Sequence, residues 1–344
     1  DMIVDKVEER FGKLARSKGK KHTFLGMDIE FIGDGKLTIA TPQHIEEAIE
    51  KFGEDLSTDA VNPAKSKLFT VSTESMLLGE PKADIFHSVT ATVLWLCRRS
   101  RPDLETAVSF LCTRVQAPTI EDWGKLRRLL EFLKKTKNDV RVMGADDILK
   151  LETWVDASHA THANMRGHTG GAMSFGWGVV HEKSAKQKLN TKSTTESEVV
   201  ALSEYVPHTI LMTNFLEAQG YKLEKCVLYQ DNKSAIKMEK NGRNSCTGNS
   251  RHISIRYFFV KDRVDKGEFT IEYCPTECML ADFFTKPLQG ALFTKLREVV
   301  MGWKHVDTLR NDSMSPIKER VGKHVSGDSA RKPRKSYSEA VTNS

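Results

Sequence analysis

Two segments with strand character end in the same residue type: TWVDAS places Asp156 at the end of one, and LYQDNKSA places Asp231 at the end of another. Between them, STTESEVVAL opens a helix with Glu196 and Glu198, and MLADFFTK carries Asp282 further on. A single acid after a strand is commonly a turn or cap residue. Four in the order strand-Asp, helix-Glu, strand-Asp, helix-Asp, spaced 42, 33 and 51 residues apart, constrain the chain far more. Ends of neighbouring strands in an α/β sheet converge in space. Acids gathered there repel one another unless cations bind, and Mg²⁺ is the hard, oxygen-seeking cation that suits them. Two such ions ~3.5–4 Å apart make a phosphoryl-transfer site.

The elements around these acids read as follows. Residues 22–40 alternate apolar and polar on both sides of Gly33-Asp34-Gly35, which predicts a β-hairpin. A short helix follows Pro42 and stops at Gly53, and residues 54–82 read as a long loop. Apolar residues at helical spacing predict a helix over 84–100, a second after Arg101-Pro102-Asp103 running to Gln116, and a third after Pro118. The third has one apolar stripe (Trp123, Leu126, Leu129, Leu130, Leu133), while Lys125, Arg128, Lys134 and Lys135 fit a solvated face, with phosphate contact as the other reading. Residues 137–150 read as a connection. A strand over 151–155 and a Gly-rich hairpin with Gly170 and Gly171 come next. The helix from Thr194 to about Gly220 contains Pro207, which predicts a kink or two abutting helices. Then come strand 226–230, helix 234–240, a Gly/Asn/Ser loop, a basic helix from about Arg251 to Lys266, strand 269–273, and a last helix ending at Gly302.

A chain of 344 residues allows about two domains at ~100–200 residues each, and 39% hydrophobic with 28% charged residues is globular composition. The six cysteines form no C-x-x-C pair, which argues against a zinc site. No apolar run approaches the ~20 residues of a membrane span, and no signal peptide is evident. The start at Asp1 suggests a piece of something longer. Of the net charge of +6, half lies in residues 306–344, which hold few large apolar residues and read as a disordered basic tail.

Residues 151–303 resemble the ribonuclease H domain of copia-type retrotransposon Pol polyproteins. The segments that carry the resemblance are WVDASHA, NTKSTTESEVVALSE, LYQDNKSAIKMEKN, SRHISIRYFFVKD and EYCPTECMLADFFTKPL. Upstream, KHTFLGMDIEF, SRPDLETAVSFL and the helix over 120–137 are similar to the part of copia-type reverse transcriptase that follows its catalytic core. The resemblance implies a fragment of three parts. Residues 1–147 would be a mostly helical thumb or connection remnant with a β-hairpin. Residues 148–305 would be a ribonuclease H-like α/β domain, a mixed sheet with flanking helices. Residues 306–344 would be the tail.

It further implies two Mg²⁺ ions, with Mn²⁺ as a substitute, held by Asp156, Glu198, Asp231 and Asp282, and hydrolysis of the RNA strand of an RNA–DNA hybrid. Glu196 and Glu198 point ~200° apart on a helix, so only one can face the metals. The family pattern favours Glu198, and Glu196 suits a cap with Ser193. Asn232, Ser234, Gly170 and Gly171 are candidate contacts to the hybrid's minor groove, with turn formation as the other reading. Arg251 and Arg256 are candidates for phosphate contact. His252 reads as a packing or surface residue of the basic helix. The remaining partners implied are the rest of the Pol polyprotein, namely polymerase core and integrase, with no membrane and no indicated oligomeric state. Location would be a cytoplasmic virus-like particle or the nucleus. The Tyr-x-Asp-Asp hairpin of a polymerase is absent, and Asp146-Asp147 does not replace it, so polymerase activity is not expected. A non-catalytic relic of a degraded element stands as the alternative.

Overall fold

The computed structural model describes residues 2–14, 16–241 and 254–313. The order is α1 (Met2–Phe11), β1 (Lys21–Phe24), β2 (Met27–Gly33), β3 (Lys36–Ala40), α2 (Pro42–Phe52), α3 (Glu80–Arg99), α4 (Glu105–Cys112), α5 (Ile120–Lys135), β4 (Arg141–Ala145), β5 (Lys150–Ser158), β6 (His168–Ser174), β7 (Gly176–Trp177) and β8 (His181–Lys186). There follow α6 (Thr194–Ala218), β9 (Lys225–Gln230), α7 (Lys233–Asn241), α8 (Ser254–Asp265), β10 (Thr270–Tyr273), α9 (Asp282–Thr285), α10 (Gly290–Val300) and α11 (Thr308–Ser313).

The expected mixed sheet is present, in the order β10-β9-β5-β6-β8. β5, β9 and β10 run parallel, while β6 and β8 are antiparallel. Strand side chains alternate between faces. Leu151 and Val155 turn to a core shared with Ala201, Leu202, Tyr205 and Val206 of α6 and Val260 of α8. Trp154, Val227 and Tyr229 belong to a second core, shared with α2 to α5 and with Phe283 and Phe293. Both faces of the sheet are thus covered, and six consecutive β5 residues, Leu151–Asp156, are buried.

The division expected at 147/148 is crossed by strand pairing. A second sheet, in the order β1-β2-β3-β4-β7, joins the hairpin region to β7, which lies beyond that position. Residues 137–150, read as a connection, contain β4, which pairs with β3 and β7. The expected hairpin over 22–40 has three strands rather than two, because Leu25 and Gly26 turn the chain with φ of 50° and 73°. The Gly33-Asp34-Gly35 turn is where it was expected, with positive φ at all three residues. Pro207 does not divide α6, which runs unbroken from Thr194 to Ala218. Tyr205, Val206 and Thr209 around it are buried, so tertiary packing holds both halves in line.

Residues 306–313, expected in the tail, are folded. Val306 and Leu309 are buried, and Arg310 pairs with Glu152 on β5 and donates to Tyr229 Oη at 2.8 Å. The rest of the expected tail, residues 314–344, lies outside the described residues, as do Cys246, Arg251, His252 and most of the expected Gly/Asn/Ser loop. Of the basic residues of α5 expected on a solvated face, Lys135 is exposed, while the other three bond to protein. Lys125 donates to Thr70 O, Arg128 to Asn62 Oδ1 at 2.6 Å and Lys134 to Leu56 O at 2.7 Å. That face clamps the long loop between α2 and α3.

Candidate active site

Among the described residues, one group of acid, imidazole or thiol side chains converges as metal ligands do. It is Asp156, Glu198 and Asp231, with one oxygen of each within 4.8 Å of the others. Asp156 lies near the C-terminal end of β5, and Asp231 follows the C-terminal end of the parallel strand β9, so the sheet itself brings them together. Glu198 faces them from the first turns of α6 and is 5% exposed.

Glu196 faces elsewhere. Its Oε2 accepts from Lys192 N at 2.6 Å, and its own N–H donates to Ser193 Oγ at 3.2 Å. This resembles the expected capping box, but the carboxylate takes the N–H one residue before the N-cap.

Asp282 opens the short helix α9 and is buried beside Asp156. Its Oδ1 accepts from Lys286 Nζ at 2.7 Å, and the same ammonium is 3.7 Å from Asp156 Oδ2. Thr285 Oγ1 donates to Asp156 Oδ2. Thr285 and Lys286 lie in the TKPL end of a quoted segment, yet nothing in the sequence alone marked them as partners of the acids. Gln230 was also missed. It is fully buried, donates to Glu198 Oε2 at 3.3 Å, and accepts the N–H groups of Asp231 and Asn232 at 2.8 and 3.1 Å. One amide therefore orients Glu198 and the turn carrying Asp231. A polar residue at the last inward position of an apolar strand (KCVLYQ) was the available signal.

The electrostatics follow from the crowding. Burial, then the charges of Asp156 and Asp231, push the Glu198 carboxyl well above its usual range. Burial and Asp156 raise Asp231 as well. Burial and Asp156 lift Asp282 to about 7, with Lys286 pulling the other way. A single ammonium thus faces four carboxyl groups. The donor set is all hard oxygen, and its charge deficit is what a divalent cation would relieve. The residues fit Mg²⁺ or Mn²⁺.

Gly170 and Gly171 have neither expected role. They lie inside β6, with Gly170 directly opposite Asp156. A Cβ on Gly170 would sit 2.5 Å from Thr285 Cγ2 and 2.8 Å from Ala281 O, and one on Gly171 would sit 2.2 Å from the Tyr205 ring. Their bare backbone lets the 281–285 segment and α6 approach the sheet. Asn232 Oδ1 accepts from Ser234 N and Ala235 N, both at 3.0 Å, so Asn232 caps α7, and Ser234 is exposed on the first turn. Arg256 Nη1 donates to Ser203 Oγ at 2.9 Å, tying α8 to α6.

The chain is 26% identical over 270 residues to the retrovirus-related Pol polyprotein from transposon TNT 1-94 of Nicotiana tabacum, a match covering 77% of this chain and 20% of that protein. It is 24% identical over 293 residues to the Pol polyprotein from transposon RE2 of Arabidopsis thaliana, covering 84% of this chain and 20% of that one. Over three quarters or more of its length the chain is thus similar to retrotransposon Pol polyproteins. It spans about a fifth of the length of these relatives. No protein-family model matches it. Among solved structures, ribonuclease H1 from the archaeon Halobacterium salinarum aligns over 38% of this chain and 90% of its own, at 14% identity and a TM-score of 0.26. Among the described residues, no helix of this Pol segment is long and apolar enough to cross a membrane.

Proposed function

We propose that this Pol segment is the ribonuclease H part of a copia-type element and hydrolyses the RNA strand of RNA–DNA hybrids with Mg²⁺ or Mn²⁺. The observation that carries this reading is the convergence of Asp156, Glu198 and Asp231 at the ends of two parallel strands, with Asp282 beside Asp156. When bound, the divalent ions supply Lewis acidity toward a phosphodiester and positive charge for a leaving alkoxide. Asp156 would serve both ions, Asp231 one of them, and Glu198 with Asp282 the other. The chain's own groups hold that donor set ready. Thr285 fixes one Asp156 oxygen, Gln230 fixes Glu198, and Lys286 keeps Asp282 turned toward Asp156. Products would carry 3′-hydroxyl and 5′-phosphate ends. Ser234 is a candidate contact to the hybrid, and the polymerase core and integrase of the same polyprotein are the proposed partners.

The test is cleavage of a labelled RNA–DNA hybrid by the full chain in Mg²⁺, compared with Asp231→Asn. Partners of metal ligands typically cost 10–100-fold when removed, so changing a ligand itself should cost at least ~10²-fold. Equal cleavage by the two proteins would sink the assignment. Primer extension on an RNA template should be absent for both.

A further inference from the structure

Thr285 and Lys286, which bond Asp156 and Asp282, also line a cleft of about 520 Å³ that has two unlike walls. One wall is the loop over 66–71, which comes from far upstream of the ribonuclease H-like sheet. The other is the segment over 158–165 that follows Asp156. Thr285, Lys286 and Pro287 form its floor. The cleft is open rather than enclosed, and none of its lining residues is an acid. What they offer instead is hydroxyls from the exposed Ser66 and Thr70, and ammonium groups from Lys67 and Lys286. Hydroxyls and ammoniums in a groove are the groups that hold phosphodiester oxygens. Lys286 is already shared with Asp156 and Asp282, but Lys67 is exposed and has no ion-pair partner among the described residues.

The loop that presents Lys67 is built to stay in place. Leu68 and Phe69, next to it in sequence, are buried. The Phe69 ring lies 5.1 Å from both His162 and His168 and 5.7 Å from Phe110. Backbone bonds close the loop on either side of Lys67, from Leu68 N to Lys65 O at 3.0 Å and from Thr70 N to Lys67 O at 3.2 Å. Gln289 and Lys125 hold Ala64 O and Thr70 O. A charge on a loop already ordered before binding loses little further freedom when it meets its ligand.

We propose that this cleft seats the sugar–phosphate backbone of the hybrid beside the acid cluster, with Lys67 contacting a phosphate. The inference rests on the hybrid-hydrolysis reading and extends it to a substrate contact from outside the ribonuclease H-like sheet. The test is binding of a fluorescent RNA–DNA hybrid to the full chain by anisotropy, in Ca²⁺ to suppress turnover, over a range of salt. Losing one phosphate contact should weaken Lys67→Ala by ~5–10-fold at about 0.1 M salt and make the log K against log salt slope shallower by about one. Lys67→Arg should restore both. Lys225→Ala, at the other end of β9 from Asp231, should match wild type. In Mg²⁺ the Lys67→Ala loss should fall on KM rather than kcat. Wild-type affinity and slope for Lys67→Ala, with wild-type cleavage intact, would overturn the cleft assignment alone. A wild-type chain that neither binds nor cuts the hybrid would overturn both readings.

Discussion

Two of the places where the molecule buries carboxylates treat them in opposite ways. Asp103 is buried between two arginines. Arg101 grips it with two nitrogens at 2.9 Å, and Arg297 Nε adds a third contact at 2.8 Å while also pairing with Asp139. Burial alone would raise the Asp103 carboxyl, but the two guanidinium charges hold it down at about 2. At the strand ends, Glu198, Asp231 and Asp282 shift upward instead, with the Lys286 ammonium the cation beside the cluster among the described residues. This fold can neutralise buried acids with its own cations where they tie elements together, here the turn before α4 and helix α10. Where it leaves the deficit, the proposed divalent cation would complete the charge.

The largest effect should come from breaking the self-neutralised set. Arg101→Met leaves Asp103 buried with one cation fewer, and removal of one partner from a buried pair costs about 3–5 kcal/mol. Denaturant unfolding should show that loss equally with Mg²⁺ and with EDTA. A loss that Mg²⁺ restores would erase the contrast.

The pH dependence of stability should separate the two sets next. In EDTA, Asp282, Glu198 and Asp231 bind protons more tightly in the folded than in the unfolded state. These three groups then hold more protons between about pH 4 and the Asp282 value of about 7, so their contribution to stability falls as pH rises through that window. Saturating Mg²⁺ should flatten the slope. Asp103 has the opposite sign: its contribution is complete above about pH 4, fades as pH falls toward about 2, and ignores Mg²⁺. Burial holds His162, His168, His181 and His208 below their usual value, which tilts the profile the other way with or without Mg²⁺, so EDTA and Mg²⁺ profiles of identical slope from pH 4 to 7 would contradict the raised carboxyls.

A smaller effect is expected at Gly170→Ala. The added methyl must displace Thr285 or the Ala281 carbonyl, and such overpacking costs about 1–3 kcal/mol. Cleavage should fall further than stability does, because the displaced segment carries Asp282. The smallest is Glu196→Gln, which weakens an exposed N-terminal carboxylate by about 0.5 kcal/mol and should leave cleavage intact. Lost cleavage there would move the ligand role from Glu198 to its neighbour.

These positions also mark how far the sequence could be read. Asp156 and Asp231 were legible because a strand end fixes where a side chain goes, and Glu198 because a helix period separates it from Glu196. The short helix over 276–278 and the floor residues Thr285 and Lys286 were not, because nothing local decides where that segment sits. A missing Cβ on β6 and a Thr106 hydrogen bond to Phe283 O at 2.6 Å do so from 112 and 177 residues away in sequence. The strand β4 hid in a polar stretch because it pairs with β3 on one edge and only two β7 residues on the other, so no period-two pattern was required of it. Pro207 misled for the opposite reason, since local propensity predicts a break that packing overrides.

Phe69 adds a consequence for how such an element can change over time. Its ring meets a histidine pair from a segment about 90 residues downstream. A recombination breakpoint near residue 148 would join an upstream loop to histidines it was never fitted against. The two stretches therefore form one heritable unit, which any breakpoint between residues 69 and 162 would split.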